Sequence, residues 1–178
     1  LNKINNLPSE LQIRTKIKAL IETNKLKDGN IKFTLLNNKQ QKTEFYSWIS
    51  PSFYPTNHIC ENGVDCSLIN ETRINPNSKS VNFSLIEKVR RIKSDKKVFE
   101  VLLAKNKLIT EGSRSNVFFV KNNVLYTAPA KDVLEGISRD KVIHICNTNN
   151  IKLIIKKTNT SDLQHFDAAF LTGTSIKV

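Results

Sequence analysis

The chain has 178 residues, 39% of them hydrophobic, enough for the core of one ordinary domain or two small ones, so it should be globular. No apolar run approaches the roughly 20 residues needed to cross a bilayer, and Leu1-Asn2-Lys3 does not open a signal peptide, so a soluble, cytoplasmic protein is expected. A formal charge of +12 invites nucleic acid or phosphorylated ligands. The lysines, however, are spread from Lys3 to Lys177, and the densest run, Glu87 to Lys97, mixes in acids and lacks an aromatic stacking partner, as a solvated helix face would.

In chain order, Ser9-Glu10-Leu11-Gln12 is a capping box and predicts a helix whose buried stripe is Ile13, Ile17, Leu20 and Ile21, ended by a turn at Lys27-Asp28-Gly29. Ile31, Phe33 and Leu35 alternate as in a half-buried strand, Asn37-Asn38 reads as a turn, and Phe45 to Ile49 as a second strand of a hairpin. Pro51 and Pro55 remove donors and stiffen the path, which predicts a linker. A strand near Val64 to Ile69 and an irregular stretch lead to a helix carrying Leu85, Ile86, Val89 and Ile92. Short strands are then expected at Val98 to Ala104, Leu108 to Thr110, Asn116 to Lys121 and Val124 to Thr127. Turns at Lys105-Asn106-Lys107 and Asn122-Asn123 would join them into a meandering sheet. Next comes a helix with Ser138 as N-cap, burying Val142, Ile145 and Cys146. A strand over 151–157, a helical turn from Ser161 to His165 and a strand from Ala168 running into Gly173-Thr174-Ser175 complete the chain.

Few motifs carry chemistry by themselves. Cys60, Cys66 and Cys146 form no Cys-x-x-Cys pair and His58, His144 and His165 have no metal-ligand spacing, so neither a disulfide framework nor a metal site is expected. No nucleotide-binding glycine motif is present. Residues 112–116 are not a nucleophile elbow, because Asn116 stands where a second small residue is required and no helix follows. Two anion-binding candidates remain, Gly136-Ile137-Ser138 at a helix start and Gly173-Thr174-Ser175 after a strand; each taken singly also reads as a simple capped turn. Gly136 is expected there for dihedrals that a β-branched residue resists.

Taken in order, Asn75 to Phe83 (NPNSKSVNF), Ile109 to Val120 (ITEGSRSNVFFV), Leu125 to Ile143 (LYTAPAKDVLEGISRDKVI) and Ala168 to Val178 (AAFLTGTSIKV) resemble the sequential signatures of the class IV, or fold type IV, aminotransferases that use pyridoxal phosphate. That group includes branched-chain aminotransferase, D-amino-acid aminotransferase and 4-amino-4-deoxychorismate lyase. The resemblance implies an α+β fold of two domains. A partial small α/β domain would cover 1–50 and a linker 51–55, and a larger β-rich pseudo-barrel domain over 56–178 would bind the cofactor.

It also implies site residues. Lys79 would bond the aldehyde of pyridoxal 5'-phosphate and shuttle the proton, with Asn82 completing a lysine-x-x-asparagine spacing. Glu111 would hold the ring nitrogen protonated, so that the ring can act as an electron sink. Ser113 and Ser115 would sit at the cofactor's edge and Leu134 under its ring. Gly136, Ile137, Ser138, Gly173 and Thr174 would surround the phosphate, and Arg114 and Ser175 would face the substrate. The function implied is transfer of an amino group between a branched-chain-like or D-amino acid and a 2-oxo acid, by a homodimer with neither membrane nor nucleic-acid partner. The alternatives are 4-amino-4-deoxychorismate lyase, and a non-catalytic basic binding module on the same fold. The chain lacks methionine and starts after the stretch where family members carry a phosphate-contacting arginine, and relatives continue past its end, so a fragment or processed product is expected.

Overall fold

The computed structural model describes residues 7–38, 40, 42–51 and 54–174. Its first helix, α1 (Glu10–Thr23), is closed by the capping box: Ser9 Oγ accepts the Gln12 N–H at 3.2 Å and Gln12 Oε1 accepts the Ser9 N–H at 2.9 Å. Ile13, Ile17, Leu20 and Ile21 are its half-buried stripe, and no residue of the helix is fully buried. Two antiparallel strands follow, β1 (Asn30–Asn37) and β2 (Thr43–Ser50), with Leu35 opposite Phe45. The Phe33 and Phe45 rings stack at 5.8 Å and the Lys16 ammonium lies 5.7 Å from the centre of Phe45, which ties helix to hairpin. These elements form the first of two structural units, Leu1–Phe53; the second is Tyr54–Val178.

The second unit opens with a helix that the sequence did not announce, α2 (Asn57–Asn62), capped by Thr56, and β3 starts only at Cys66 (Cys66–Asn70). After the 71–82 loop come α3 (Phe83–Lys96), capped by Asn82, and β4 (Glu100–Lys105), parallel to β3. The next strands are β5 (Leu108–Gly112), β6 (Asn116–Lys121) and β7 (Val124–Thr127). Asn106, Lys107, Asn122 and Asn123 all take positive φ, between 50° and 65°, as two-residue hairpin turns demand. A helix α4 (Ile137–Thr148) and strands β8 (Leu153–Ile155), β9 (Thr158–Asn159) and β10 (Ala168–Thr172) finish the unit.

The strands do not form the single meander expected. They make two four-stranded sheets, β3-β4-β5-β9 and β10-β6-β7-β8, and the chain changes sheet between β5 and β6, at Ser113-Arg114-Ser115. Period-two alternation lets β4 serve two cores. Leu102 and Ala104 join Ile109, Val117 and Phe119 between the sheets, while Val101 and Leu103 meet Leu85 and Val89 beneath α3. A register slip also sits in β5: Ile109 pairs with Ala104, but Glu111 pairs with Leu103, leaving Thr110 as the extra residue of a β-bulge.

Helix α4 departs from expectation at its start and on its buried face. Its N-cap is Gly136, without a side-chain hydrogen bond, so Ser138 lies inside the first turn. Cys146 is buried as expected, but Val142 is half-buried and Ile145 is 52% exposed; the other buried residue is Arg139. Gly136 has an ordinary φ of −80°, so no special dihedral requires glycine; space does, because a Cβ would collide with Asn116 Oδ1.

Leu103→Ala removes a side chain with no exposed surface and should cost about 2–5 kcal/mol in urea unfolding, whereas Ile145→Ala on the open side of α4 should cost less than about 1 kcal/mol. Equal losses would contradict the packing described.

Candidate active site

Glu111 stands one residue before the end of β5 with its side chain 2% exposed. Burying a carboxylate is costly unless donors replace water, and two do. Arg73, from the loop before α3, donates from Nε to Oε1 at 2.9 Å, and the Leu134 N–H donates to Oε2 at 3.1 Å. The same guanidinium donates from Nη2 to the Ser113 carbonyl at 2.8 Å, so it clamps the carboxylate and the loop behind it together. Burial still pushes the Glu111 carboxyl above its usual range; the Arg73 charge, the Leu134 N–H and the more distant Arg139 charge only partly offset it.

A second buried carboxylate stands two strand positions from Gly112's partner. Glu100, 1% exposed, accepts from Ser113 Oγ at 2.6 Å, Ser115 Oγ at 2.9 Å and the Arg114 N–H at 3.3 Å, and pairs with Lys93 of α3 at 3.1 Å. Burial pushes its carboxyl up, but Ser113, the Val101 N–H, Lys93 and Ser115 outweigh this and hold it below the usual range. The space is full: a Cβ on Gly112 would collide with Ser115 Oγ and come within 3.2 Å of Glu100. The two serine hydroxyls expected at a cofactor edge are thus both spent on Glu100, and Arg114 is exposed with its backbone N–H on the same carboxylate.

Lys79 is exposed, on a loop held at two points. Arg73 fixes one end to Glu111; at the other, Asn77 Nδ2 donates to the Ala130 carbonyl at 3.2 Å and to Glu135 Oε1 at 3.1 Å, beside Gly136. The α4 start is defined by Asn116, whose amide donates to the Leu134 carbonyl at 2.8 Å and whose Oδ1 fills the space beside Gly136. The first intrahelical bond there is Asp140 N–H to the Gly136 carbonyl, so the N–H groups of Ile137 and Ser138 are not used by the helix. Two buried polar atoms nearby also lack a hydrogen-bond partner among the described residues. One is Arg139 Nε, in a side chain whose Nη2 donates to the Ala128 carbonyl at 3.0 Å; the other is the hydroxyl of Thr172, which pairs with Asn116 across β10 and β6. Gly173 is half-buried and Thr174 exposed just beyond, while Ser175 lies outside the described residues.

Sequence reading missed Arg73, Glu100 and Asn116 as members of this arrangement. A cavity of about 180 Å³ borders Arg73, Pro76 and Thr110; in its wall Lys157 pairs with Asp132 at 3.3 Å and the Thr110 hydroxyl donates to the Leu103 carbonyl at 3.2 Å, and neither Lys79 nor Glu111 lines it. Among the described residues no group of three or more His, Cys, Asp or Glu could hold a metal ion.

Solved structures share this fold. The branched-chain aminotransferase of the thermophilic archaeon Thermoproteus uzoniensis, solved with norvaline, superposes with a TM-score of 0.78 at 20% identity, over 96% of this chain and 62% of that one. A candidate 4-amino-4-deoxychorismate lyase of Legionella pneumophila gives 0.81 at 23% identity, over 98% and 68%. At these identities the likeness defines the architecture, that of the fold type IV enzymes. The D-alanine aminotransferase of Bacillus licheniformis is 27% identical over 181 residues, 96% of this chain; the chain spans 64% of that protein's length. The amino-transferase class IV family model matches residues 1–178, and the chain belongs to that family.

The two carboxylates should give opposite pH signatures in the folded chain. Glu100, held low, contributes stability that is present above the ordinary glutamate range and lost as pH falls through its folded value. Glu111, held high, favours the fold when protonated, and that contribution is lost as pH rises from the ordinary range through its folded value. In urea unfolding from pH 4 to 8, the loss caused by Glu100→Gln should therefore grow with pH and that caused by Glu111→Gln should shrink. Parallel trends would contradict the environments described.

Proposed function

We propose that the chain is the main cofactor-binding part of a pyridoxal 5'-phosphate-dependent aminotransferase, which moves an amino group between an amino acid and a 2-oxo acid. The observation that carries this reading is Glu111, a carboxylate buried on Arg73 and the Leu134 N–H within reach of a glycine-started helix. The residues present fit the group. Unused N–H donors at the start of α4 suit a phosphate, and Thr172 Oγ1 and Arg139 Nε are buried donors without a hydrogen-bond partner among the described residues. When bound, pyridoxal phosphate supplies an electron sink for the pair released at the substrate Cα.

This chain's residues would do the rest. The Glu111 carboxylate holds a proton on the ring nitrogen, and Arg73 keeps that carboxylate in place. Lys79 would hold the cofactor aldehyde and move the proton at the substrate Cα. Leu134, whose N–H and carbonyl are bonded to Glu111 and Asn116, would pack under the ring. Gly136, Ile137, Ser138, Gly173 and Thr174 surround the phosphate. Ser113 and Ser115 support the site through Glu100 rather than at the cofactor's edge, and Arg114 and Ser175 face the substrate. The small-domain residues belong to unit Leu1–Phe53, and the enzyme works as a cytoplasmic homodimer. No helix among the described residues is long and apolar enough to cross a membrane. The relative's name supports D-alanine as a donor, and branched-chain amino acids are the second class to assay.

Borohydride treatment of protein loaded with pyridoxal phosphate should fix the cofactor mass on Lys79 in peptide maps; a different lysine, or many at low occupancy, would refute the assignment. Glu111→Gln should lower transaminase turnover about 100-fold or more, some 2.7 kcal/mol of barrier, and wild-type turnover would remove Glu111 from the mechanism. Gly136→Val should weaken cofactor affinity far more than Ser138→Ala, because valine meets an Asn116 already bonded to Leu134 whereas the Ser138 N–H survives the change. Titration by cofactor absorbance checks the order.

A further inference from the structure

We propose that Glu100, which touches neither Glu111 nor the α4 start, is a positioning residue for Glu111, acting through a relay of Ser113 and Arg73. The relay is continuous in hydrogen bonds. Glu100 Oε1 accepts from the Ser113 hydroxyl at 2.6 Å, the Ser113 carbonyl accepts from Arg73 Nη2 at 2.8 Å, and Arg73 Nε donates to Glu111 at 2.9 Å. The Ser113 N–H also holds the Val101 carbonyl at 2.9 Å, so removing the first bond leaves one backbone tie but takes away the side-chain tie that helps to aim the Ser113 carbonyl, one of the two acceptors that orient the Arg73 fork. Glu100 is itself anchored by the Val101 N–H at 2.8 Å, by Ser115 and by Lys93. Lys93 lies on the helix that follows Lys79, so the relay links the lysine's element to the carboxylate's loop.

The charged and titratable groups around the relay come from several elements. Facing Glu100 are Lys93 of α3 and the Cys66 thiol of β3, which burial and then the Glu100 charge push up. Facing Glu111 are Arg73 of the 71–82 loop and Arg139 of α4. Two effects of Glu100 on Glu111 therefore have opposite signs. As a bare negative charge, Glu100 raises the Glu111 carboxyl, so its loss would lower it; as the support of Arg73, it keeps a cation on Glu111, so its loss raises it. Positioning predicts the rise. The importance of this for amino transfer rests on the function proposed above, but the relay can be tested without cofactor.

The test is carboxyl-carbon NMR of the ligand-free chain with glutamate labelled at Cδ, the Glu111 signal being assigned by its loss in Glu111→Gln. The Glu111 midpoint should rise by about half a unit or more in Glu100→Gln, and also in Ser113→Ala, which removes the hydroxyl but keeps the carbonyl and every charge. If Glu100→Gln does not fold, Ser113→Ala decides. An unchanged or lowered midpoint in the folded variants would overturn the inference, leaving Glu100 a merely structural group. A raised midpoint in a chain that fails to bind pyridoxal phosphate would sustain the relay while refuting the proposed function.

Discussion

The arrangement depends on burying one carboxylate where water cannot reach it. Desolvation of Glu111 can be offset only by donors carried there by the backbone, and breaking a buried ion pair typically costs about 3–5 kcal/mol. Arg73 supplies the charged donor from 38 residues away in sequence, and with the Leu134 N–H it offsets the desolvation only in part. The rest of the local structure follows from bringing it there: the 71–82 loop must return to β5, which carries Lys79 back with it, and Leu134 must present its N–H, which fixes the chain just before Gly136.

A few residues away, Glu100 shows what a fuller complement of donors does. Both glutamates are buried to almost the same degree, yet their carboxyls are displaced in opposite directions. Glu100 sits among two hydroxyls, backbone N–H groups and an ammonium; Glu111 has one guanidinium and one N–H. A carboxylate left short of donors is one that an additional cationic N–H, such as that of a protonated pyridine, would stabilise. A saturated one is scaffold. The crossover between the sheets separates the two roles, with Ser113 and Ser115 turned toward the scaffold side.

Much of this was legible in the sequence wherever the signal is local. Ser9 and Gln12 meet each other within one turn, and Asn122-Asn123 needs only the tolerance of asparagine for positive φ; both were placed correctly. Alternation located β4 to β7 but could not say that β5 and β6 belong to different sheets, since strand pairing is a long-range property. Helix α2 has six residues, too few for a period to register. Ser138 looked like the better cap because side-chain preference is visible in sequence, whereas the room that Asn116 denies to any Cβ at position 136 is not. Arg73 and Glu100 were missed for the same reason: an arginine in an irregular stretch and an acid at the head of a strand have no spacing that names their partners.

The extra residue at Thr110 has its own consequence. Because the register slips there, Glu111 stands opposite Leu103 and Gly112 opposite Leu102. Side chains alternate across a strand, so the same residues paired without the slip would set Thr110 opposite Leu103 and Glu111 opposite Leu102, driving the carboxylate into the place that only a glycine fits. The site is thus encoded in the phase of a strand as much as in its letters. A single unpaired residue in one strand thereby decides which side chain of β5 meets Arg73.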